Sequence, residues 1–170
     1  MNIRKLLSAA AASVMAMSLL CSCRQSGVLR LGTGNTGGNY YSYGTLLHEL
    51  DENGIEVKKT AGSQANLRLM NEGFIDMAIV QSDVLSEAVN GVGDFENEPV
   101  SGVRAVAGLY DEAFQIVVRS KSDINSIADL KGKKISVGDE GSGVAKNAEY
   151  LLLSAGVDFS SVEPVYMSYS

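Results

Sequence analysis

Short apolar runs of strand length alternate with amphipathic helical patterns from Val28 to the end of this 170-residue chain. Two strands separated by a helix usually lie parallel in one sheet, because parallel neighbours need a long crossover connection. No internal repeat or low-complexity segment interrupts the alternation. The sequence therefore predicts an α/β fold.

The first part of the pattern predicts three strands, each followed by a helix. The strands cover 28–32, 55–60 and 75–80, and the last two helices cover 64–72 and 84–89. Ser63 is the predicted start of the second helix. In the first helix four apolar side chains recur at i, i+3, i+4 and i+7, so this face is expected to point toward the core. They are Tyr43, Leu46, Leu47 and Leu50.

Beyond a polar loop at 90–100, two predicted strands at 103–109 and 114–118 follow each other without a helix. This break in the rhythm marks the predicted crossover from a first lobe, 28–108, to a second part, 109–170. The second part is expected to contain a short helix at 126–130, a strand at 134–138, a helix capped by Ser142 and a last strand near 162–167. Nothing after that strand covers it or returns to the first sheet, so we expect the second lobe to be incomplete.

The first 22 residues have the layout of a signal peptide, with basic residues before an apolar stretch. The stretch is shorter than the roughly 18 to 20 apolar residues that span a bilayer. It ends in a segment that resembles a bacterial lipobox, which assigns lipidation to Cys23 rather than to Cys21, because bulky Leu20 precedes the latter. Residues 23–27 would then link the anchor to the folded part. The chain is thus expected to be exported and lipid-anchored, in the periplasm or at the cell surface; an ordinary signal peptide is the alternative.

The charge of the chain and the types of side chain that it contains argue against several classes of function. The chain has 14 basic and 20 acidic residues and no run of lysine or arginine, so no nucleic-acid partner is expected. No cysteine follows Cys23, and the acids are scattered around a single histidine, which gives no metal-ligand spacing. That histidine, His48, is expected on the solvated side of its helix, away from any catalytic serine. We therefore predict neither an enzyme nor a bound cofactor.

Three loops share one design, in which a strand ends, small or hydroxyl residues follow, and a helix begins. They are 33–41, 62–66 and 141–144. In an open α/β sheet such loops emerge at the carboxyl edge of the strands, where ligands bind. Helix N-termini offer unpaired N–H groups and partial positive charge, which suit a carboxylate. This arrangement predicts a binding site for a small organic anion.

The first of these loops also matches the dinucleotide-binding pattern G-x-G-x-x-G, which begins at Gly32. An NAD site needs an acidic residue after the second strand, and Lys58 and Lys59 stand there instead. The leader also directs the chain away from the cytosolic cofactor pool. A dinucleotide-binding enzyme domain is therefore an alternative, and a surface lipoprotein without transport activity is another.

Taken in order, the loops resemble those of the TAXI-type receptors, the solute-binding components of tripartite ATP-independent periplasmic (TRAP) transporters. The resemblance is carried by LGTG and GGNYY within 31–41, GS and NLR within 60–69, the segment 75–83, and GDEGSG at 138–143. It implies a fold like the type II periplasmic binding proteins, whose lobes clamp a solute by hinge closure. The implied solute is an amino acid such as glutamate, or a dicarboxylate, and the implied partner is a membrane permease driven by an ion gradient.

The same resemblance implies which residues contact the solute. They are Thr33 and Gly34 in the first loop, Tyr40 and Tyr41 as walls of the cleft, Ser63, Asn66, Gln81 and Ser82 from the first lobe, Tyr110 at the hinge, and Ser142 and Gly143 from the second lobe. Ser63 and Ser142 have a second interpretation as helix N-caps, each stabilising its helix by about 1 kcal/mol. Gln81 has no such structural role, since it is a polar amide that directly follows a buried apolar run.

Overall fold

The structure is a computed structural model that describes residues 27–168. The predicted signal peptide, the lipidation site Cys23 and nearly all of the predicted linker lie outside these residues. The described part contains two sheets, of three and two strands, and every strand pair in them is parallel. This confirms the predicted α/β class. No helix within residues 27–168 is long and apolar enough to cross a membrane.

The first sheet contains three strands, and the strand that comes first in the chain lies between the other two. The strands are β1 (Leu29–Gly32), β2 (Ile55–Lys58) and β3 (Met77–Ala78), and the helices that follow them are α1 (Asn39–Leu50), α2 (Ser63–Asn71) and α3 (Ser82–Asn90). Leu31 pairs with Val57 on one side and with Met77 on the other. Because all three strands run the same way, the three helices begin at the same edge of the sheet.

The second sheet contains β4 (Lys134–Ser136) and β5 (Glu163–Val165), joined by helix α4 (Gly143–Ser154). The short helix predicted at 126–130 is a 3₁₀ turn, Ile127–Leu130. It begins with a capping box, in which Ser126 and Asp129 each bond the other's backbone N–H group. The apolar core of this part consists of Leu130, Leu152, Val157 and Val162.

The prediction for the core face of α1 is wrong. Leu46 is 52% exposed and Leu50 is 77% exposed, whereas Gly44 is the buried residue of this helix. A Cβ atom on Gly44 would lie 2.5 Å from Cγ2 of Thr33, so the missing side chain lets the helix backbone approach the sheet closely. The four apolar side chains do recur with helical spacing, but α1 packs against the first sheet through the face that carries Gly44.

The two strands predicted at 103–109 and 114–118 are not formed either. Val106 is 90% exposed and Val117 is 87% exposed. Within the described chain, no backbone group of 103–118 is hydrogen-bonded to another backbone group. A strand is defined by the neighbour that pairs with it, and residues 27–168 supply none here.

The apolar core beside the first sheet lies between α2 and α3. Leu67, Val84, Ala88, Phe95 and Val100 form it. Phe95 belongs to the segment that the sequence predicts as a polar loop, where a 3₁₀ turn over Gly93–Phe95 directs its ring inward. This turn fixes the chain between α3 and the crossover.

Candidate functional site

A cavity of about 600 Å³ lies between the two sheets, at the edge where the helices begin. It is lined by seven of the eleven predicted solute contacts: Gly34, Tyr40, Ser63, Gln81, Tyr110, Ser142 and Gly143. The structure thus brings together residues that are more than a hundred positions apart in the chain. Pockets of this size, at the carboxyl edge of parallel strands, are typical sites for small ligands.

The N-termini of three helices, α1, α2 and α4, meet at the wall of this cavity, as the three loops predicted. At the start of α4, the N–H groups of Gly143 and Val144 have no hydrogen-bond acceptor among residues 27–168. Unpaired donors of this kind, at the positive end of a helix, favour an anionic group. This wall of the cavity therefore suits a carboxylate.

The two serines at the helix starts have different roles. Ser142 caps α4, because its Oγ accepts the N–H of Ala145 at 3.1 Å, which confirms the predicted cap. Ser63 is not a cap: α2 is capped by Gly62, whose φ of 120° is a conformation that favours glycine. The Ser63 hydroxyl instead accepts the N–H of Gln81 at 3.0 Å and lies 3.3 Å from the Tyr40 hydroxyl.

Gln81 lies at a close contact between the two sides of the cavity. A Cβ atom on Gly143 would stand 1.7 Å from Oε1 of Gln81 and 3.1 Å from Oγ of Ser63, so a larger residue there would displace the Gln81 side chain or α4. Gln81 donates from Nε2 to Glu112 at 2.6 Å, and its buried Oε1 has no hydrogen-bond partner within the described residues. An unsatisfied buried acceptor beside a cavity is a natural point of contact for a donor group.

The crossover segment supplies an acidic and aromatic wall. Tyr110 stacks on Tyr43 of α1 with ring centroids 5.0 Å apart, and its hydroxyl donates to Glu112 at 3.3 Å. Burial raises the pKa of both Tyr40 and Tyr110, and the negative charge of Glu112 raises it further. Both phenols are therefore neutral hydrogen-bond donors at physiological pH.

The side-chain charges around the cavity are all negative. Asp111, Glu112 and Asp139 line it, and no lysine or arginine is among the lining residues. Asp139 also accepts a hydrogen bond from the side-chain amide of Asn35, which joins the two sides of the cavity. The sequence interpretation identified none of these acids, because each lies in a loop where an exposed carboxylate is ordinary. Within residues 27–168, no group of three or more metal-ligating side chains is arranged to hold a metal ion.

Four predicted contacts are not among the residues that line the cavity: Thr33, Tyr41, Asn66 and Ser82. Thr33 is fully buried and donates its hydroxyl to the carbonyl of Lys58 at 2.8 Å. Asn66 is also fully buried and donates to the carbonyls of Thr33 and Ile79, at 2.7 and 2.9 Å. These two side chains join the sheet to its loops behind the cavity.

His48 is half-buried rather than solvated, because α1 packs through the face that includes it. Its ring Nδ1 is 2.7 Å from the carbonyl oxygen of Ile55, which can only accept, so Nδ1 carries the proton. The histidine therefore links α1 to β2.

Lys146, on α4, is a buried charge that the sequence did not single out. Its Nζ lies 2.9 Å from Asp94, 3.8 Å from Glu149 and 3.9 Å from Glu87. Burial lowers the pKa of Lys146, but the three carboxylates, Asp94 above all, outweigh this effect and raise the pKa above its ordinary value. Burial also raises the pKa of Glu87, an effect that Lys146 only partly offsets.

The described residues thus form two parallel sheets with a cavity between them. The chain belongs to the NMT1-like family, whose model matches residues 31–170.

Two solved structures are also similar to this chain. One is the alkanesulfonate-binding protein SsuA from Xanthomonas axonopodis pv. citri bound to MOPS, at 19% identity over 84% of this chain and 48% of that one, with a TM-score of 0.47. The other is the periplasmic aliphatic sulphonate binding protein SsuA from Escherichia coli, at 23% identity over 83% of this chain and 47% of that one, with a TM-score of 0.44. The chain spans about half the length of each.

Proposed function

We propose that the protein is an extracytoplasmic solute-binding receptor that captures an amino acid for a TRAP-type secondary transporter. The observation that carries this proposal is the division of one cavity into two electrostatic walls. Helix N-termini with unpaired N–H groups form one wall, and the carboxylate of Glu112 among aromatic rings forms another. Of the solutes that the sequence suggests, an amino acid such as glutamate carries both charges that these walls favour, whereas a dicarboxylate carries only one.

The N–H groups of Gly143 and Val144 would hold the carboxylate of the solute. Both groups lie at the first turn of α4, where the helix dipole favours negative charge. The serine that precedes them uses its hydroxyl oxygen for the cap, which leaves the backbone donors for the ligand. This geometry requires no basic side chain in the cavity.

Glu112 would hold the ammonium group. Its two carboxylate oxygens accept from Gln81 and Tyr110, and the exposed side chain keeps lone pairs for another donor. The rings of Tyr40, Tyr110 and Phe114 line the same part of the cavity, and aromatic faces attract cations. The unpaired Oε1 of Gln81 adds an acceptor nearby.

The transporter and membrane parts of the proposal depend on the sequence. The order of the loops is similar to that in TAXI-type receptors, which work with a membrane permease. The leader and Cys23 suggest export followed by lipid anchoring. Membership of the NMT1-like family agrees with a solute-binding role but does not indicate the type of permease.

The direct test is calorimetric titration of the purified full-length protein with glutamate, other amino acids, dicarboxylates and NAD. Saturable binding of one or more amino acids is the expected result. Binding of NAD alone would favour the dinucleotide-enzyme alternative and contradict the proposal. No binding of any of these solutes would favour an anchored lipoprotein without a transport role.

Glu112→Gln is expected to weaken amino-acid binding by at least about tenfold, or about 1.4 kcal/mol, because the ammonium loses its charged acceptor. Dicarboxylate binding should not weaken, since that solute has no ammonium group. Titration of both solutes measures the difference. Glu72→Gln is the matched control, as Glu72 is exposed at the end of α2 and is not among the lining residues. Equal loss for both solutes would refute the ammonium assignment.

Cys23→Ser is expected to abolish incorporation of radioactive palmitate and to release the protein from the membrane fraction. The physical reason is that the thiol of Cys23 is the proposed attachment point, and several acyl chains are needed for stable anchoring. Cys21→Ser is the matched control and should keep the label. Labelling that survives Cys23→Ser but not Cys21→Ser would move the anchor to Cys21.

A further inference from the structure

Lys146 forms a charged contact between the two sides of the cavity. The residue lies on α4, beside the second sheet, and its side chain is 8% exposed. Its two nearest cross-boundary partners, Asp94 at 2.9 Å and Glu87 at 3.9 Å, both belong to the part of the chain built on the first sheet. Gln64 of α2 donates to the same Asp94 oxygen at 2.8 Å, which holds this carboxylate in place.

The helix that carries Lys146 also carries part of the site. Ser142 and Gly143, about one turn before Lys146, line the cavity at the start of α4. A backbone hydrogen bond crosses the same boundary, from the N–H of Ala65 in α2 to the carbonyl of Gly141 at 3.3 Å. The position of the α4 N-terminus against the first sheet is therefore coupled to the ion pairs of Lys146.

The burial of the lysine distinguishes the ion pairs of Lys146 from the others near α4, although Asp94 itself is 42% exposed. Lys134 and Glu163 form a pair of similar length, 2.8 Å, but both side chains are about two-thirds exposed and the pair lies within the second sheet. Exposed pairs contribute little, whereas removing one member of a buried pair leaves charge without compensation. Separation of the two sides of the cavity would break the contacts of Lys146 with Asp94 and Glu87, and would leave the pair of Lys134 and Glu163 intact.

We propose that Lys146 is a positioning residue of the solute site, whose ion pairs with Asp94 and Glu87 hold the N-terminus of α4 against the first sheet before any solute arrives. A cavity held in its binding conformation avoids the cost of closing when the solute binds. The expected effect of Lys146 on solute affinity rests on the proposed function. The expected effect of Lys146 on the contact between α4 and the first sheet does not, because it is measured on the protein without solute.

The experiment is hydrogen exchange of the full-length protein without solute, resolved to single amides by NMR. Lys146→Met is expected to raise the exchange rate of the Ala65 amide at least about tenfold, because its acceptor Gly141 lies across the boundary. The neighbouring Asn66 amide bonds to Gly62 within its own helix, at 2.8 Å, and should not change. Lys134→Met, the control for loss of an exposed lysine, should change neither amide.

Asp94→Asn supplies a second variant if Lys146→Met does not fold, since it preserves side-chain size and leaves Glu87 and Glu149, at 3.9 and 3.8 Å, beside the Lys146 ammonium. It should raise Ala65 exchange in the same selective way. Unchanged exchange at Ala65 would overturn the proposal, and so would an equal rise at Ala65 and Asn66, which would mean that Lys146 only supports the fold. If an amino acid binds, the Lys146→Met variant should bind it about tenfold more weakly; if none binds, the exchange result still decides the positioning role.

Discussion

Phe95→Ala is expected to destabilise the protein by about 3–5 kcal/mol, a large part of the roughly 5–15 kcal/mol that holds a domain folded. Phe95 is 1% exposed and is the largest fully buried side chain in the described chain. Removing its ring leaves a cavity among Leu67, Val84 and Val100 that the short 3₁₀ turn cannot fill. Urea unfolding, followed by circular dichroism, measures the free energy of unfolding.

Phe74→Ala is the matched control, because Phe74 is 59% exposed and follows α2 at the surface. Its free energy of unfolding should change by less than about 0.5 kcal/mol. Similar losses for the two variants would mean that the ring of Phe95 does not contribute to the core as the structure indicates.

The position of Phe95 also links stability to the proposed closure. Asp94, the main partner of Lys146, precedes Phe95 in the same 3₁₀ turn. The guanidinium of Arg68 lies 5.2 Å from the centre of the Phe95 ring, and its Nη2 donates to the carbonyl of Asp94 at 3.2 Å. The buried ring of Phe95 thus helps to position Asp94, the main ion-pair partner of Lys146.

The sequence was sufficient to predict the positions of strands, helix starts and loops wherever residues close together in the chain determine them. Strands β1 and β2 and helix α2 begin within one residue of their predicted positions. Parallel strands then place the loops after them at one edge, which is why Gly34, Ser63 and Gly143 meet at the cavity. The cap by Ser142 was predictable for the same reason, since it depends on residues within one helical turn.

Predictions from the sequence were wrong where the structure depends on how closely two elements pack. The apolar stripe of α1 was predicted to face the core, but the helix packs through Gly44, whose lack of a side chain carries no hydrophobic signal. Similarly, a loop rich in glycine and acids gave no indication that Phe95 would be buried. These contacts depend on which surfaces meet, and a periodic pattern does not specify that.

Long-range charge pairs were beyond sequence reasoning altogether. Lys146 and Asp94 are separated by some fifty residues, and each alone reads as an ordinary surface charge. Glu112 is likewise unremarkable until Gln81 and Tyr110 are placed beside it. A cavity with an acidic wall therefore emerges only from the fold, and for the proposed function it favours an amino acid over a dicarboxylate.

Gly143→Ala is expected to weaken amino-acid binding by at least about tenfold, or about 1.4 kcal/mol, while the protein still folds. The added Cβ would lie 1.7 Å from Oε1 of Gln81 and 2.4 Å from its Cδ, so the two cannot keep their positions. Either the Gln81 side chain moves and loses its hydrogen bond to Glu112, or α4 moves away from the first sheet. The first response removes one of the two hydrogen bonds that hold Glu112, and the second moves the proposed carboxylate-binding wall away from it.

Calorimetric titration of the full-length variant measures this loss, and urea unfolding shows whether the fold persists. Helix α4 itself should tolerate alanine, which is a better helix former than glycine and requires no unusual φ at this position. Gly108→Ala is the matched control, because a Cβ atom there meets nothing within 4 Å. Unchanged affinity in Gly143→Ala would contradict the placement of the solute between Glu112 and the N-terminus of α4. Weaker binding with an unchanged free energy of unfolding is the expected result, and it would mean that the contact between Gly143 and Gln81 serves recognition. A purely structural contact would lower both the affinity and the free energy of unfolding.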